Sequence, residues 1–390
     1  MTKDVIIKIL PALDGNCFLV SSGSKNLLID GGYINTYEDH LKSQLNKFNK
    51  SNFELSLVIV THIDSDHISG IIKFIKENNE SQIIPIRNIW HNSFRHIQSD
   101  EIVDPDCDNG EFCSGIIREV DNNERNISAK QGSSLAKLLL DGKYSWNKQF
   151  EGRAISVRNN IEIDDNISID VLSPDKSKLE LLQKYWRKEL YKSGYINTQN
   201  SQRFWDDAFE NLLAKDRPQY FRQEKSISYS GCIDMKSFAA KEFIQDTSVT
   251  NGSSISIVLN ISNKKMLFLG DSHPDIIIKS LKDLYSEDQF PIFFDAIQLS
   301  HHGSYNNNSP ELLSIVRSDK YIISTNSDKY NHPDIETIAC ILLTPYDKER
   351  TLFFNYQTEL SNLLSDPKTQ EMYNYRISVP TSNQIIEIKL

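Results

Sequence analysis

The chain has 390 residues, with 43 lysines and arginines against 53 aspartates and glutamates, for a net charge of −10. At 39% apolar and 25% charged residues, with 15 glycines and 12 prolines, it is neither collagen-like nor low-complexity nor disordered. An acidic surface repels phosphate backbones, which excludes broad non-specific nucleic-acid binding and leaves room only for a local basic groove.

Lys3, Asp4 and Lys8 interrupt the apolar residues at the start of the chain, so no signal-peptide core is expected there. No later run reaches the roughly 18 apolar residues of a membrane span. The expectation is a soluble, cytoplasmic protein without a membrane role. Cys17, Cys107, Cys113, Cys232 and Cys340 are scattered without CxxC spacing. Reduced thiols are therefore expected rather than a disulfide framework or thiolate zinc site, with Cys107 and Cys113 the one pair that could bridge.

In chain order, residues 5–10, 17–21 and 26–29 read as short strands separated by the turn residues Asp14-Gly15-Asn16 and Gly23-Ser24, which predicts a meander. Leu41, Leu45 and Phe48 place an amphipathic helix over 37–48, and 55–60 reads as a buried strand ending at Thr61. A helix is expected over 68–75 and a strand over 83–90, an alternation of α/β character. From 176 to 241 the spacing of Leu179, Leu182, Tyr185, Leu190, Phe204, Trp205, Phe209 and Leu212 is helical. Strands resume at 254–260, 266–270, 296–299, 321–324, 352–356, 376–379 and 385–388. The expected organisation is two halves of one sandwich, 1–175 and 242–390, around a helical insertion, 176–241.

The densest chemical signal is Thr61-His62-Ile63-Asp64-Ser65-Asp66-His67, which places four potential metal ligands directly after an apolar strand. Imidazole and carboxylate are ligands for divalent zinc, manganese and iron, and without a cation the carboxylates would repel one another. The competing reading is a solvated helix start with Asp64 and Asp66 capping backbone amides. It leaves the two flanking histidines unexplained.

His62-x-Asp64-x-Asp66-His67 resembles the HxHxDH motif of the metallo-β-lactamase superfamily, with aspartate in place of the second histidine. Leu28-Ile29-Asp30-Gly31-Gly32, Leu267-Phe268-Leu269-Gly270-Asp271 and Leu299-Ser300-His301-His302-Gly303-Ser304 resemble further superfamily motifs in the same order. The last of these, with Asn331-His332-Pro333, is most similar to the ComEC-type DNA-uptake proteins and the phosphorylcholine esterases. The resemblance implies an αββα four-layer sandwich holding two divalent ions at one edge of its sheets, zinc first and manganese as the alternative. It also implies that His62 and Asp64 take metal one, Asp66 and His67 metal two, and Asp271 both. Asp30 would orient a ligand without coordinating, or would merely be a turn residue.

The resemblance leaves the last ligand open. In one order His332 completes metal two and His301 or His302 gives a proton to the leaving group; in the other His301 is the ligand and His332 a turn residue. A histidine for metal one from a separate loop could come only from His91 or His96, though aromatic-flanked histidines such as these are more often packed or hydrogen-bonded residues. His40 and His273 are expected at the surface or behind the ligands. Asn251 would buttress the active edge. Ser133 reads as a helix cap, and Lys130 as a phosphate contact or a solvated lysine. The Gly303 and Ser304 amides would hold a phosphate oxygen or form a tight turn.

The implied activity is metal-dependent hydrolysis of a phosphodiester by water activated on the metal, as in a nuclease or nucleotide-cleaving enzyme, with Asp66, His301 and His302 as catalytic residues. The partners would be a phosphodiester or small-molecule substrate, including nucleic acid. The alternatives are a carboxyl-ester, lactone or amide hydrolase, since one fold hosts many reactions, and a non-catalytic component of a multi-protein system. In that last case Tyr185, Trp186, Phe204, Trp205, Tyr220 and Phe221 of the insertion would bind a protein partner instead of forming core.

Overall fold

Alternation of apolar side chains builds two sheets. β1 (Val5–Ile9), β2 (Phe18–Ser22) and β3 (Lys25–Ile29) form the antiparallel meander expected from their turns. β4 (Glu54–Ile59) and the short β5 (Ile89–Trp90) add in parallel, and β16 (Ile386–Lys389) returns to pair with β1, so the order is β16-β1-β2-β3-β4-β5. The second sheet contains β6 (Arg158–Asp164), β7 (Ile167–Ser173), β8 (Ser256–Ile261), β9 (Lys264–Phe268), β11 (Ala296–Gln298), β13 (Lys320–Ile323), β14 (Arg350–Phe354) and β15 (Tyr375–Ser378). Its order is β15-β14-β13-β11-β9-β8-β7-β6, and β10 (Ile292–Phe294) and β12 (Val316–Ser318) pair apart from it. The computed structural model describes residues 4–97, 134–192, 206, 209, 210 and 233–390.

The two-residue period of a strand decides which core each side chain enters. Phe18 and Val20 of β2 meet Met266 and Phe268 of β9 between the sheets, with the Phe18 and Phe268 rings 5.8 Å apart. Leu19 points the other way, toward Ile71, Phe74 and Ile75 of the helix Ser65–Ser81. Likewise Leu267 faces Ile277 and Leu281 of the helix Pro274–Leu284 and Ile338 and Leu342 of the helix Ile335–Leu343. The layers are therefore helix, sheet, sheet, helix, and the chain is an α/β protein.

Several expectations need correction. The strand over 83–90 shrinks to Ile89–Trp90, with Ile86 making a lone bridge to Leu55, because Pro85 has no N–H to give a ladder. The helix after β4 begins at Ser65 and runs to Ser81. The helical stretch around Leu41 is a π turn, Tyr37–Leu41, continued by Lys42–Lys50. The β6–β7 hairpin was not foreseen from the sequence, although Ile161, Ile163, Ile167, Ile169 and Val171 alternate around Asp164-Asp165-Asn166. It belongs with β8 in the second sheet, while β16 closes the first. The sheets thus exchange strands across the expected halves.

Lys176–Lys192 is helical, and Leu179, Leu182, Trp186 and Phe209 are buried with the helices over the first sheet, the Phe94 and Trp186 rings lying 4.0 Å apart. Trp186 is a core residue. Cys17 and Cys340 are free thiols. Among the described residues no helix is long and apolar enough to cross a membrane. Cys107, Cys113, Cys232, Lys130, Ser133, Phe204, Trp205, Leu212, Tyr220 and Phe221 lie outside the described residues, as does the side chain of Leu190.

A close backbone approach seats the turn after β3 on the helix Ser65–Ser81. Gly70 N–H donates to the Gly32 carbonyl at 2.8 Å, and a Cβ at Gly70 would lie 2.0 Å from the Gly31 carbonyl oxygen. Gly70→Ala gains about 1 kcal/mol of helix propensity but forces two backbones apart, at a cost of about 1–3 kcal/mol beyond that gain. A urea titration should show a lower midpoint for Gly70→Ala; a higher one would mean the turn is free to move.

Candidate metal centre

Five strands deliver side chains to one edge of the sandwich. Asp30 follows β3, His62 follows β4, Asp271 follows β9, His301 and His302 follow β11, and Ser324 follows β13. These strands run parallel to their neighbours at this edge, and the carboxyl ends of parallel strands are where α/β sheets collect ligands. Asp64 occupies the N-cap of the helix Ser65–Ser81 in an extended conformation, and its side chain makes no capping hydrogen bond. Asp66 and His67 sit in the first helical turn, both buried. The solvated-cap reading of this motif is thereby excluded for Asp66, which turns inward.

His67 Nε2 lies 3.5 Å from Asp66 Oδ2 and 3.6 Å from Asp271 Oδ1, and His62 Nε2 lies 3.7 Å from Asp271 Oδ2. His302 Nε2 is 3.5 Å from Asp66 Oδ2. These gaps exceed good hydrogen bonds and approach the ~3.3 Å between two ligands of one tetrahedral zinc. Two triplets, His62/His67/Asp271 and Asp66/His67/His302, each offer ligand atoms within 4.8 Å of one another. His62 Nε2, His67 Nε2 and Asp271 Oδ1 are buried without a hydrogen-bond partner. Buried polar atoms are nearly always partnered, so this donor set fits a divalent cation.

The opposite ring nitrogens are all engaged. His67 Nδ1 donates to Asp30 Oδ2 at 2.8 Å, and Asp30 also accepts from Thr61 N–H at 2.8 Å and the Thr61 hydroxyl at 2.7 Å. His302 Nδ1 donates to the Ser324 carbonyl at 2.8 Å, and His62 Nδ1 meets Thr61 Oγ1 at 3.0 Å. This leaves each Nε2 to face the Asp66 and Asp271 carboxylates, the arrangement in which carboxylates and carbonyls orient metal-binding imidazoles. Asp271 is aimed by Ser254 Oγ, which accepts its N–H at 3.1 Å, and by the left-handed backbone of Gly270 (φ +51°), where a Cβ would strike Ser254 Oγ at 2.4 Å.

Charge is finely opposed here. Burial pushes His62 down to about 3, with His67 adding to the effect. Burial also works against a charged His67, yet the carboxylates of Asp271, Asp30 and Asp66 hold it up at about 10. Burial works against the ionised Asp66 and Asp271 in the same way, but the surrounding imidazoles hold both below the usual carboxylate range. The carboxylates are thus ionised and call for positive charge among them.

Other sequence candidates fall elsewhere. His332 joins neither triplet; its ring lies 5.2 Å from that of His301 and 6.0 Å from that of Tyr330. Asp64 stands at the rim, with Oδ2 3.8 Å from His62 Nε2. His91 and His96 are packed residues: His91 stacks on Trp146 and bonds Glu210 at 3.0 Å, and His96 packs edge-on against Trp146 at 4.4 Å. His301 Nε2 is 3.9 Å from Asp271 Oδ2 while its Nδ1 donates to Asn307 Oδ1 at 2.9 Å. His301 and His302 both carry left-handed backbone (φ +45° and +58°), a strain held at a functional turn. The Ser304 amide is spent on the His301 carbonyl, so the tight-turn reading holds there. His273 packs beside Asp246 and Lys178, and His40 lies on the π turn. Asn251 donates to Asp246 at 2.7 Å behind His301. Asp246 and Asn307 were not singled out from the sequence, because nothing in their neighbours distinguishes them from ordinary turn residues.

Asp30→Asn keeps the shape but replaces the acceptor of the His67 proton. Its zinc affinity, measured by competition with a chromophoric chelator, should fall about 10–100-fold, and unchanged affinity would contradict the orienting role.

Residues 10–89 match the model of the Metallo-beta-lactamase superfamily, a stretch running from the end of β1 to the start of β5 and containing the His62–His67 motif. Among solved structures, the chain is similar to the metallo-beta-lactamase fold protein YhfI from Bacillus subtilis, at 9% identity and a TM-score of 0.39, covering 99% of this chain and 100% of that one. It is also similar to a mutant of the CmlA beta-hydroxylase, at 9% identity and a TM-score of 0.38, covering 100% of this chain and 54% of that one. No curated protein matches the sequence. The matched stretch is the part of this chain that supplies Asp30, His62, Asp64, Asp66 and His67.

Proposed function

We propose that this protein is a metal-dependent hydrolase of phosphodiesters. The observation that carries the reading is the split of Asp271, whose Oδ1 faces His67 Nε2 at 3.6 Å and whose Oδ2 faces His62 Nε2 at 3.7 Å, with Oδ1 and both nitrogens buried and unpartnered. On this reading His62, Asp64 and Asp271 would hold one divalent ion and Asp66, His67, Asp271 and His302 a second, zinc first and manganese as the alternative. His302 takes the place that the sequence left to His332 or His301. Such ions, when bound, supply Lewis acidity toward a phosphoryl or carbonyl oxygen and lower the pKa of water.

The chain's own groups supply the rest. Asp30 and the Ser324 carbonyl fix the tautomers of His67 and His302. His301 is one-fifth exposed, and its Nδ1–H is held by Asn307, so Nε2 keeps a lone pair toward the cavity. Burial lowers its pKa, which keeps the ring neutral at pH 7. His301 therefore accepts a proton from attacking water and passes it to the leaving oxygen. The likeness of His301-His302-Gly303-Ser304 and Asn331-His332-Pro333 to DNA-uptake and phosphorylcholine esterase sequences supports phosphodiesters as the substrate class.

Asp271→Ala should lower kcat/KM by at least about a hundredfold. His302→Ala should lose one metal equivalent by elemental analysis while His332→Ala keeps both; the reverse would return the ligand role to His332. A panel of a bis-aryl phosphodiester, single-stranded DNA and lactones tests the substrate class. Turnover of lactones alone would contradict the proposal and favour a carboxyl-ester hydrolase.

A further inference from the structure

One wall of the metal centre is built by residues that the hydrolytic reading leaves unused. The turn Asp14-Gly15-Asn16 rests on Asp66: Asn16 N–H donates to the Asp66 carbonyl at 3.3 Å, and a Cβ at Gly15 would fall 2.0 Å from that oxygen. Asp14 accepts the Tyr33 hydroxyl at 3.2 Å, and Lys329 Nζ lies 3.8 Å from Asp14 Oδ2. Lys329 thus reaches Asp14 from the segment between β13 and the helix Ile335–Leu343. Its ammonium is held in the charged form against burial, by Asp66 first and then by Tyr33, Tyr330 and Asp14. The next residue, Tyr330, has its ring 6.2 Å from that of His301 and 5.0 Å from Lys329 Nζ, yet 40% of it is exposed. Burial raises the pKa of its hydroxyl and Lys329 lowers it, with Asp66 and Asp64 adding smaller raising effects.

A lysine ammonium and a partly exposed aromatic ring side by side match a ligand with an anionic group bonded to a planar ring. In a chain of net charge −10, whose site wall already carries Asp14, Asp64 and Asp66, an anion reaches the metal centre more readily with a fixed cation on its path. Lysine binds phosphate as a point charge, and tyrosine stacks on bases without reading their sequence. We propose that Lys329 and Tyr330 form a substrate subsite beside the metal centre. Lys329 takes a non-bridging phosphate oxygen, and Tyr330 stacks on an aromatic or heterocyclic ring attached to that phosphate, so the preferred substrate is nucleotide-like. The inference rests on the phosphodiester reading above and narrows it.

The test is binding to the metal-loaded protein, which needs no turnover. Thymidine 5′-monophosphate and inorganic phosphate are titrated by calorimetry into wild type, Lys329→Met, Lys329→Arg, Tyr330→Ala and Tyr330→Phe, with metal content measured for each. Lys329→Met should weaken both ligands about tenfold, with Lys329→Arg restoring most of the loss. Tyr330→Ala should weaken the nucleotide about tenfold more than phosphate, and Tyr330→Phe should behave as wild type. Equal affinities across the variants would overturn the subsite. So would loss of metal in Lys329→Met, which would mean that the lysine merely balances Asp14 and Asp66. Failure of the diester panel with nucleotide binding intact would sink the hydrolytic reading alone.

Discussion

Ionised carboxylates and imidazole nitrogens stripped of water must find a partner or destabilise the fold, and this condition organises the active edge. Asp66 and Asp271 are buried, ionised and ringed by His62, His67 and His302 at 3.5–3.9 Å. Those gaps are longer than good hydrogen bonds and suited to a shared cation. Protons on the histidines can satisfy the charge in part, but they leave Asp271 Oδ1 and two Nε2 atoms without partners. A divalent ion satisfies all three at once.

The fold meets that condition by convergence. Strands fix backbone direction, and parallel strands bring their carboxyl ends to one edge, so residues far apart in the chain arrive together. The close approaches of Gly15 to Asp66, of Gly70 to the turn after β3 and of Gly270 to Ser254 remove the slack that side chains would add. Behind these side chains, Asp30, Thr61, Ser254, Asn307 and the Ser324 carbonyl hold the rings and carboxylates in place. Near the same edge Lys329 stands beside Asp14 and the Tyr330 ring, which lies 6.2 Å from that of His301, so a cation and a partly exposed ring sit among acidic groups.

Much of this was legible in the sequence because short-range patterns encode it. Strand alternation, the Asp-Gly-Asn turn and the ligand density of His62–His67 depend on neighbours a few residues apart. The orienting role of Asp30 was visible only through resemblance, and the structure gives it a partner in His67 Nδ1. What stayed hidden depends on long-range pairing. Nothing local says that β6 and β7 join β8, or that His302 and not His332 stands beside Asp66. His301 and His302 are adjacent in sequence, and only their left-handed backbone sends one ring inward and leaves the other partly exposed. His91 stayed open between ligand and packed residue because its partner, Glu210, is 119 residues away.

An anomalous difference map of this edge, from a crystal soaked in zinc, tests the central claim most directly. Two peaks are predicted in the space bounded by His62, His67, His302, Asp66 and Asp271, each about 2.0–2.2 Å from its ligand atoms. A map with no peak there, and Asp66 and Asp271 turned toward solvent, would contradict it.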